Sequence, residues 1–145
     1  MNPYFDTVYT PAGAWSPEML MAALAQAATD HADDLGIGHD AMLALSGCLW
    51  MLVRSRISMR ELPAPGEPVT VRTWLRRPTP VMSVRDYEFF RGGRSIGYGL
   101  QYWVLVDEKK RSITGLRDVP LLWTLPAPQP ERKESIRRLV LPEEL

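Results

Sequence analysis

The sequence holds one cysteine, Cys48, and two histidines. A lone cysteine excludes an internal disulfide, and so small a set excludes a structural zinc site. No metal and no cofactor is expected. Charge of one sign is also missing, since 17 Lys and Arg balance 17 Asp and Glu. Nucleic-acid binders usually carry a basic excess, so no nucleic-acid partner is expected. No apolar run approaches the roughly 20 residues of a membrane span. The opening residues Met1-Asn2-Pro3-Tyr4 lack the charged and apolar segments of a secretory leader, and a cytoplasmic protein is expected. Leu43-Ala44-Leu45-Ser46-Gly47 contains a serine without a Gly-x-Ser-x-Gly elbow, and no glycine-rich phosphate loop occurs.

What is present fits one ordinary domain. The chain has 145 residues, 46% of them hydrophobic. A chain of that size buries roughly two-thirds of its unfolded surface. Tyr4 to Tyr9 reads as a short strand. Ser16-Pro17-Glu18 is a helix start: a capping hydroxyl, a proline suited to the first turn, and an acid facing the positive end of the dipole. Leu20, Leu24, Ala27, His31 and Leu35 then share one helical face, and Gly36 stops the helix. Five alanines between 22 and 28 keep the helix slim enough to lie close to a sheet. A short helix is expected from His39 to Leu45.

From Cys48 onward the period changes to two. Val53, Ser55, Ile57 and Met59 fall on one side of a long strand, with Arg54, Arg56, Ser58 and Arg60 on the other. Val69 to Arg76, Val81 to Phe90 and Ser95 to Val106 are further strands, the last two joined by the hairpin Arg91-Gly92-Gly93-Arg94. Gly97 and Gly99 allow a close approach or a bulge. Ser112 to Thr114 is a last short strand. The expected fold class is α+β: one long central helix wrapped by a curved antiparallel sheet of five or six strands, the hotdog arrangement. The domain spans 1–124, followed over 125–145 by a proline-rich linker and a charged tail.

Five ordered segments carry a family resemblance: Gln26-Ala27-Ala28 with His31-Ala32; Leu49-Trp50-Met51-Leu52-Val53-Arg54; Pro65-Gly66-Glu67 leading to Thr73-Trp74; Arg85-Asp86-Tyr87; and Trp103-Val104-Leu105-Val106-Asp107. Together they resemble the first domain of the acyl-acyl-carrier-protein thioesterases. The resemblance implies a hotdog fold and an acyl-thioester substrate, carried on acyl carrier protein or coenzyme A. Members of that family usually fuse two such domains, and their Asp-x-Asn-x-His catalytic stretch lies in the second. The corresponding pre-helix stretch here, Thr10 to Trp15, has no such motif. The resemblance also implies pairing of two copies, a homodimer or a higher oligomer.

Thioester hydrolysis needs a base for water, donors for an oxyanion and an apolar slot for the acyl chain. The first amides of the long helix, about residues 18 to 20, are candidate oxyanion donors. Glu18 is a candidate carboxylate or simply compensates the dipole. Gln26 and Asp30 sit one turn apart and can reach a common water. His31 is a candidate base or a core histidine. Trp15, Met19, Arg54 and Arg56 are the candidate substrate contacts. Arg54, Arg56, Arg60, Arg72, Arg76 and Arg77 lie on two neighbouring strands, either as a solvated face or as a dock for carrier protein or coenzyme A phosphates. Arg85 and Asp86 face opposite sides of their strand, and a structural salt bridge is expected there. The alternative to a hydrolase is a non-catalytic acyl-binding or structural subunit; an enoyl-thioester hydratase is a third reading.

Overall fold

The structure, a computed structural model, describes residues 2–128. Of the linker and tail expected over 125–145, residues 129–145 lie outside them. Element order is β1 (Phe5–Tyr9), α1 (Pro17–Leu35), α2 (His39–Ser46), β2 (Cys48–Met59), β3 (Val69–Leu75), β4 (Met82–Arg91), β5 (Arg94–Asp107), β6 (Ser112–Thr114) and α3 (Pro120–Thr124). The strands form one antiparallel six-stranded sheet in the order β1-β3-β4-β5-β2, with β6 added to β5.

Helix α1 forms where its caps predict. Ser16 Oγ accepts from the Met19 amide, Pro17 opens the first turn, and Gly36 closes the helix at φ 77°. Gly36 suits that left-handed position because it has no Cβ to clash. Leu20, Leu24, Ala27 and His31 are buried on the face toward the sheet, together with Ala23 and Ala28. The helix seats deeply because β5 offers Gly99: a Cβ there would stand 3.2 Å from Leu24 Cδ1 and from Tyr87 Cβ. This half of the core also takes Trp15, Val69, Val71, Phe89 and Ile96. Beyond the C-terminus of α1, a second core gathers Ile37, Met42, Cys48, Leu105, Leu116 and Leu122. Cys48 is buried there, as a small hydrophobe.

Two expectations change. The register of β2 against β5 shifts between Leu52 and Arg54. The extra residue of this bulge breaks the period of two. Val53 therefore does not join the Ser55 side; it packs with Val84, Leu100 and Tyr102. Second, β2 and β3 are successive in sequence but lie apart in the sheet, with β4 and β5 between them. The six arginines are thus not one field. Arg72 holds Asp6, and Arg76 holds Asp86.

Candidate functional site

A cavity of about 340 Å3 opens between the C-terminal half of α1 and the sheet. Ala28, Thr29, Ala32 and Asp33 form one wall. Gly38, His39 and Asp40 form its rim with Asp33. Trp50, Leu75, Trp103 and Leu122 supply apolar surface from β2, β3, β5 and α3, and Ser83 and Arg85 reach it from β4. The volume lies at the low end of the range for small-molecule sites, roughly 300 to 1,000 Å3. Local sequence makes the room: alanines on α1 where large residues would fill the space.

Arg85 is 4% exposed. Its Nη1 donates to Thr73 Oγ1 at 3.1 Å and lies 2.8 Å from His31 Nδ1. An arginine can only donate, so His31 accepts at Nδ1 and carries its proton on Nε2. Burial and the adjacent guanidinium, in that order, lower the pKa of His31 from 6.5 to about 4. The imidazole is therefore neutral at pH 7, stacked 5.1 Å from the Phe5 ring. Burial pushes the pKa of Arg85 down as well, yet an arginine keeps its proton in proteins. The structural salt bridge belongs to Asp86, which faces away from α1 and takes Arg76 at 2.7 Å. Beside Arg85 runs a second buried chain: the Tyr87 hydroxyl donates to Gln101 Oε1, and Gln101 Nε2 donates to Ser55 Oγ. Burial holds the Tyr87 hydroxyl well above its ordinary pKa.

Gln26 and Asp30 do meet, with Nε2 donating to Oδ1 at 2.8 Å. Gln26 and Glu18 are exposed, and Asp30 is half-buried. None of Glu18, Gln26, Asp30 and His31 lines the cavity. Trp15 is buried, its indole donating to the Glu67 carbonyl. Met19 packs on the same core, 4.0 Å from the Tyr9 hydroxyl. Arg54 and Arg56 pair in register with Tyr102 and Leu100 on β5. Two of the three amides expected as oxyanion donors at residues 18 to 20 are already engaged. The Met19 amide is taken by Ser16 Oγ and the Leu20 amide by the Ser16 carbonyl. Moreover, residues 18 and 26 lie roughly 12 Å apart along a helix, so one carbonyl cannot be held at the first and attacked at the second.

Thr73, Gln101, Ser55 and Trp103 were not singled out as site residues. Their signal is weak: polar side chains at inward positions of strands whose pairing is not written locally. Among the described residues, no cluster of His, Cys, Asp and Glu could hold a metal ion, and no helix is long and apolar enough to cross a membrane.

Comparison with known proteins places this geometry. A family model, the acyl-ACP thioesterase N-terminal domain, matches residues 12–119. No curated protein matches the chain in sequence. The structure is similar to an acyl-ACP thioesterase from Bacteroides thetaiotaomicron VPI-5482, at 22% identity and a TM-score of 0.74, covering 91% of this chain and 58% of that one. It is similar to a 12:0-ACP thioesterase from Umbellularia californica, at 17% identity and a TM-score of 0.70, covering 83% and 52%. A DHNA-CoA thioesterase from Staphylococcus aureus is similar at 19% identity and a TM-score of 0.70, covering 79% and 82%. The chain thus spans little more than half the length of the two acyl-ACP thioesterases. At such identities the likeness establishes the fold, and the expected hotdog architecture is borne out.

Proposed function

We propose that this chain, which belongs to the acyl-ACP thioesterase N-terminal domain family, is a thioester hydrolase acting on acyl-carrier-protein or coenzyme A thioesters of fatty acids. The observation that carries the reading is the 340 Å3 cavity between α1 and the sheet, whose lining lies within the span the family covers except for Leu122. An acyl chain needs an apolar slot, and Trp50, Leu75, Trp103 and Leu122 line one. Asp30 stands about one turn before Asp33 at the cavity's rim. A thioester whose acyl group fills the cavity emerges beside the Gln26–Asp30 pair. Asp30 takes a proton from water as its oxygen bonds to the carbonyl carbon. The C–S bond then breaks, and the proton passes to the departing thiolate. Gln26 fixes the carboxylate through its hydrogen bond.

A second reading, an acyl-binding subunit without catalysis, is favoured by one observation: the four candidate catalytic side chains lie off the cavity lining. The test is hydrolysis of acyl-carrier-protein and acyl-coenzyme-A panels by the full chain. The hydrolase reading expects turnover, and a fall of roughly a hundredfold in Asp30→Asn at unchanged stability. Binding without turnover by the wild type supports the second reading. Two copies pairing and a cytoplasmic location belong to the same proposal. The free edge of the 12-residue β2 supports the pairing, because long edges are normally covered. Light scattering reads it.

A further inference from the structure

The strongest oddity in the molecule is the charge on Arg85. Four other arginines of the chain differ from it. Arg72, Arg76 and Arg91 each hold a carboxylate on the side edge of the guanidinium. Arg72 Nε and Nη2 hold Asp6 at 2.8 and 3.1 Å. Arg76 holds Asp86 at 2.7 and 3.0 Å, and Arg91 holds Glu67 at 2.6 and 2.9 Å, through the same two nitrogens. Arg94, exposed, reaches Glu61. Arg85 is the most buried of them, and its bonds run from Nη1 alone, to the neutral groups His31 and Thr73. Among the described residues, no acceptor meets its Nε and Nη2 edge and no carboxylate pairs with it. A buried cation without a counter-charge is costly. His31 cannot relieve it, because the imidazole is neutral.

We infer that the cavity binds a carboxylate carried on an apolar body, with the Nε and Nη2 edge of Arg85 as its bidentate holder. Arg85 lines the cavity, and the walls around it are Trp50, Leu75 and Trp103. A planar carboxylate matches that edge as Asp86 matches Arg76. The apolar walls take the hydrocarbon or ring behind it. The rim acids Asp33 and Asp40 are exposed, so water screens them from the deep end of the site. Two sources present this chemistry: the free acid that thioester hydrolysis releases, bound again with its carboxylate turned inward toward Arg85, or an acyl group with a second, distal carboxylate. The inference deepens the proposed function, since it rests on the same cavity holding the acyl group.

The test is calorimetric binding to the full chain of octanoate, octanamide and octanol, which share a tail and differ in head group. Octanoate should bind tighter than either neutral probe by roughly tenfold or more, the ratio one charge-assisted contact supplies. Arg85→Met should erase that ratio. Equal affinity for the three probes in the wild type overturns the inference, and needs no variant to fold. An undiminished ratio in folded Arg85→Met also overturns it. Octanoyl-coenzyme A and octanedioyl-coenzyme A separate the sources. A tighter octanedioyl thioester assigns the edge to a distal carboxylate; equal thioesters with tight octanoate assign it to the released acid. Hydrolysis is scored separately. Carboxylate preference without turnover leaves this inference standing and removes the hydrolase reading, and turnover without carboxylate preference does the reverse.

Discussion

The two halves of α1 lie over one sheet and meet opposite conditions. From Leu20 to Ala27 the helix is pressed onto β5 at Gly99, with Leu24 fully buried. From Ala28 to Asp33 the same helix stands over a cavity. The charges of β4 repeat the contrast across its two faces. Asp86 is answered by Arg76, whereas Arg85, one residue earlier, meets only neutral groups. Close packing and paired charge account for a fold. Open volume beside an unanswered cation is not what close packing and charge pairing produce, which is why the proposed ligand is placed at that end of the molecule.

The largest effect that can break this comparison is a matched pair of truncations. Leu24→Ala should cost about 3 kcal/mol, and Leu75→Ala, whose side chain already borders the cavity, about 2 kcal/mol. Urea unfolding measures both, and equal costs would erase the difference between the halves. Next comes Gly99→Val. Its Cβ would stand 3.2 Å from both Leu24 and Tyr87. Both neighbours are fully buried, so a loss of about 2 kcal/mol is expected. A neutral result would mean that α1 is not seated as tightly as the geometry requires.

A smaller effect sharpens the cavity side. His31 titrates near pH 4 when folded and near 6.5 when unfolded. Between those values the unfolded chain binds the extra proton. The stability that neutral His31 contributes is therefore full above pH 6.5 and lost as pH falls toward 4, at up to about 1.4 kcal/mol per pH unit. The pKa of Glu61 is lowered from 4.5 chiefly by Arg94, and that of Glu67 chiefly by the Ala64 amide, with Arg91 adding to both. The stabilisation they contribute is lost as pH falls through about 4.5 and below, at the low end of the His31 range. Chemical unfolding of wild type against His31→Gln should show the steeper slope in the wild type. Identical slopes would mean that His31 is not held neutral by burial and Arg85.

Much of this was legible in the chain because local rules wrote it. Ser16, Pro17 and Gly36 bound α1 through capping and backbone geometry. Gly92 and Gly93, both at positive φ, fix the hairpin between β4 and β5. The stripe from Leu20 to His31 gives the buried face. What could not be read depends on pairing at a distance. Nothing in the sequence places β4 and β5 between β2 and β3, so the arginines looked like one field. The Val53 bulge shows only against β5. Helix α3, with five residues, is too short for a periodic signal. One of Arg85 and Asp86 could be read as inward and in need of a partner; the one that faces α1 is Arg85. That its partners are neutral, and that it faces a cavity, emerges only when α1, β3 and β4 are assembled.

The cavity beneath Ala28 and Ala32 is where the acyl group is proposed to lie, and filling that cavity is the most direct trial. Ala32→Leu puts a branched side chain into that space, while Ala25→Leu adds the same bulk at an exposed position of α1 outside the lining. Octanoyl-coenzyme A binding is measured by calorimetry on both folded variants. Ala32→Leu should weaken binding by roughly tenfold or more, about 1.4 kcal/mol, and Ala25→Leu should bind as the wild type does. Wild-type affinity in a folded Ala32→Leu variant would contradict that placement.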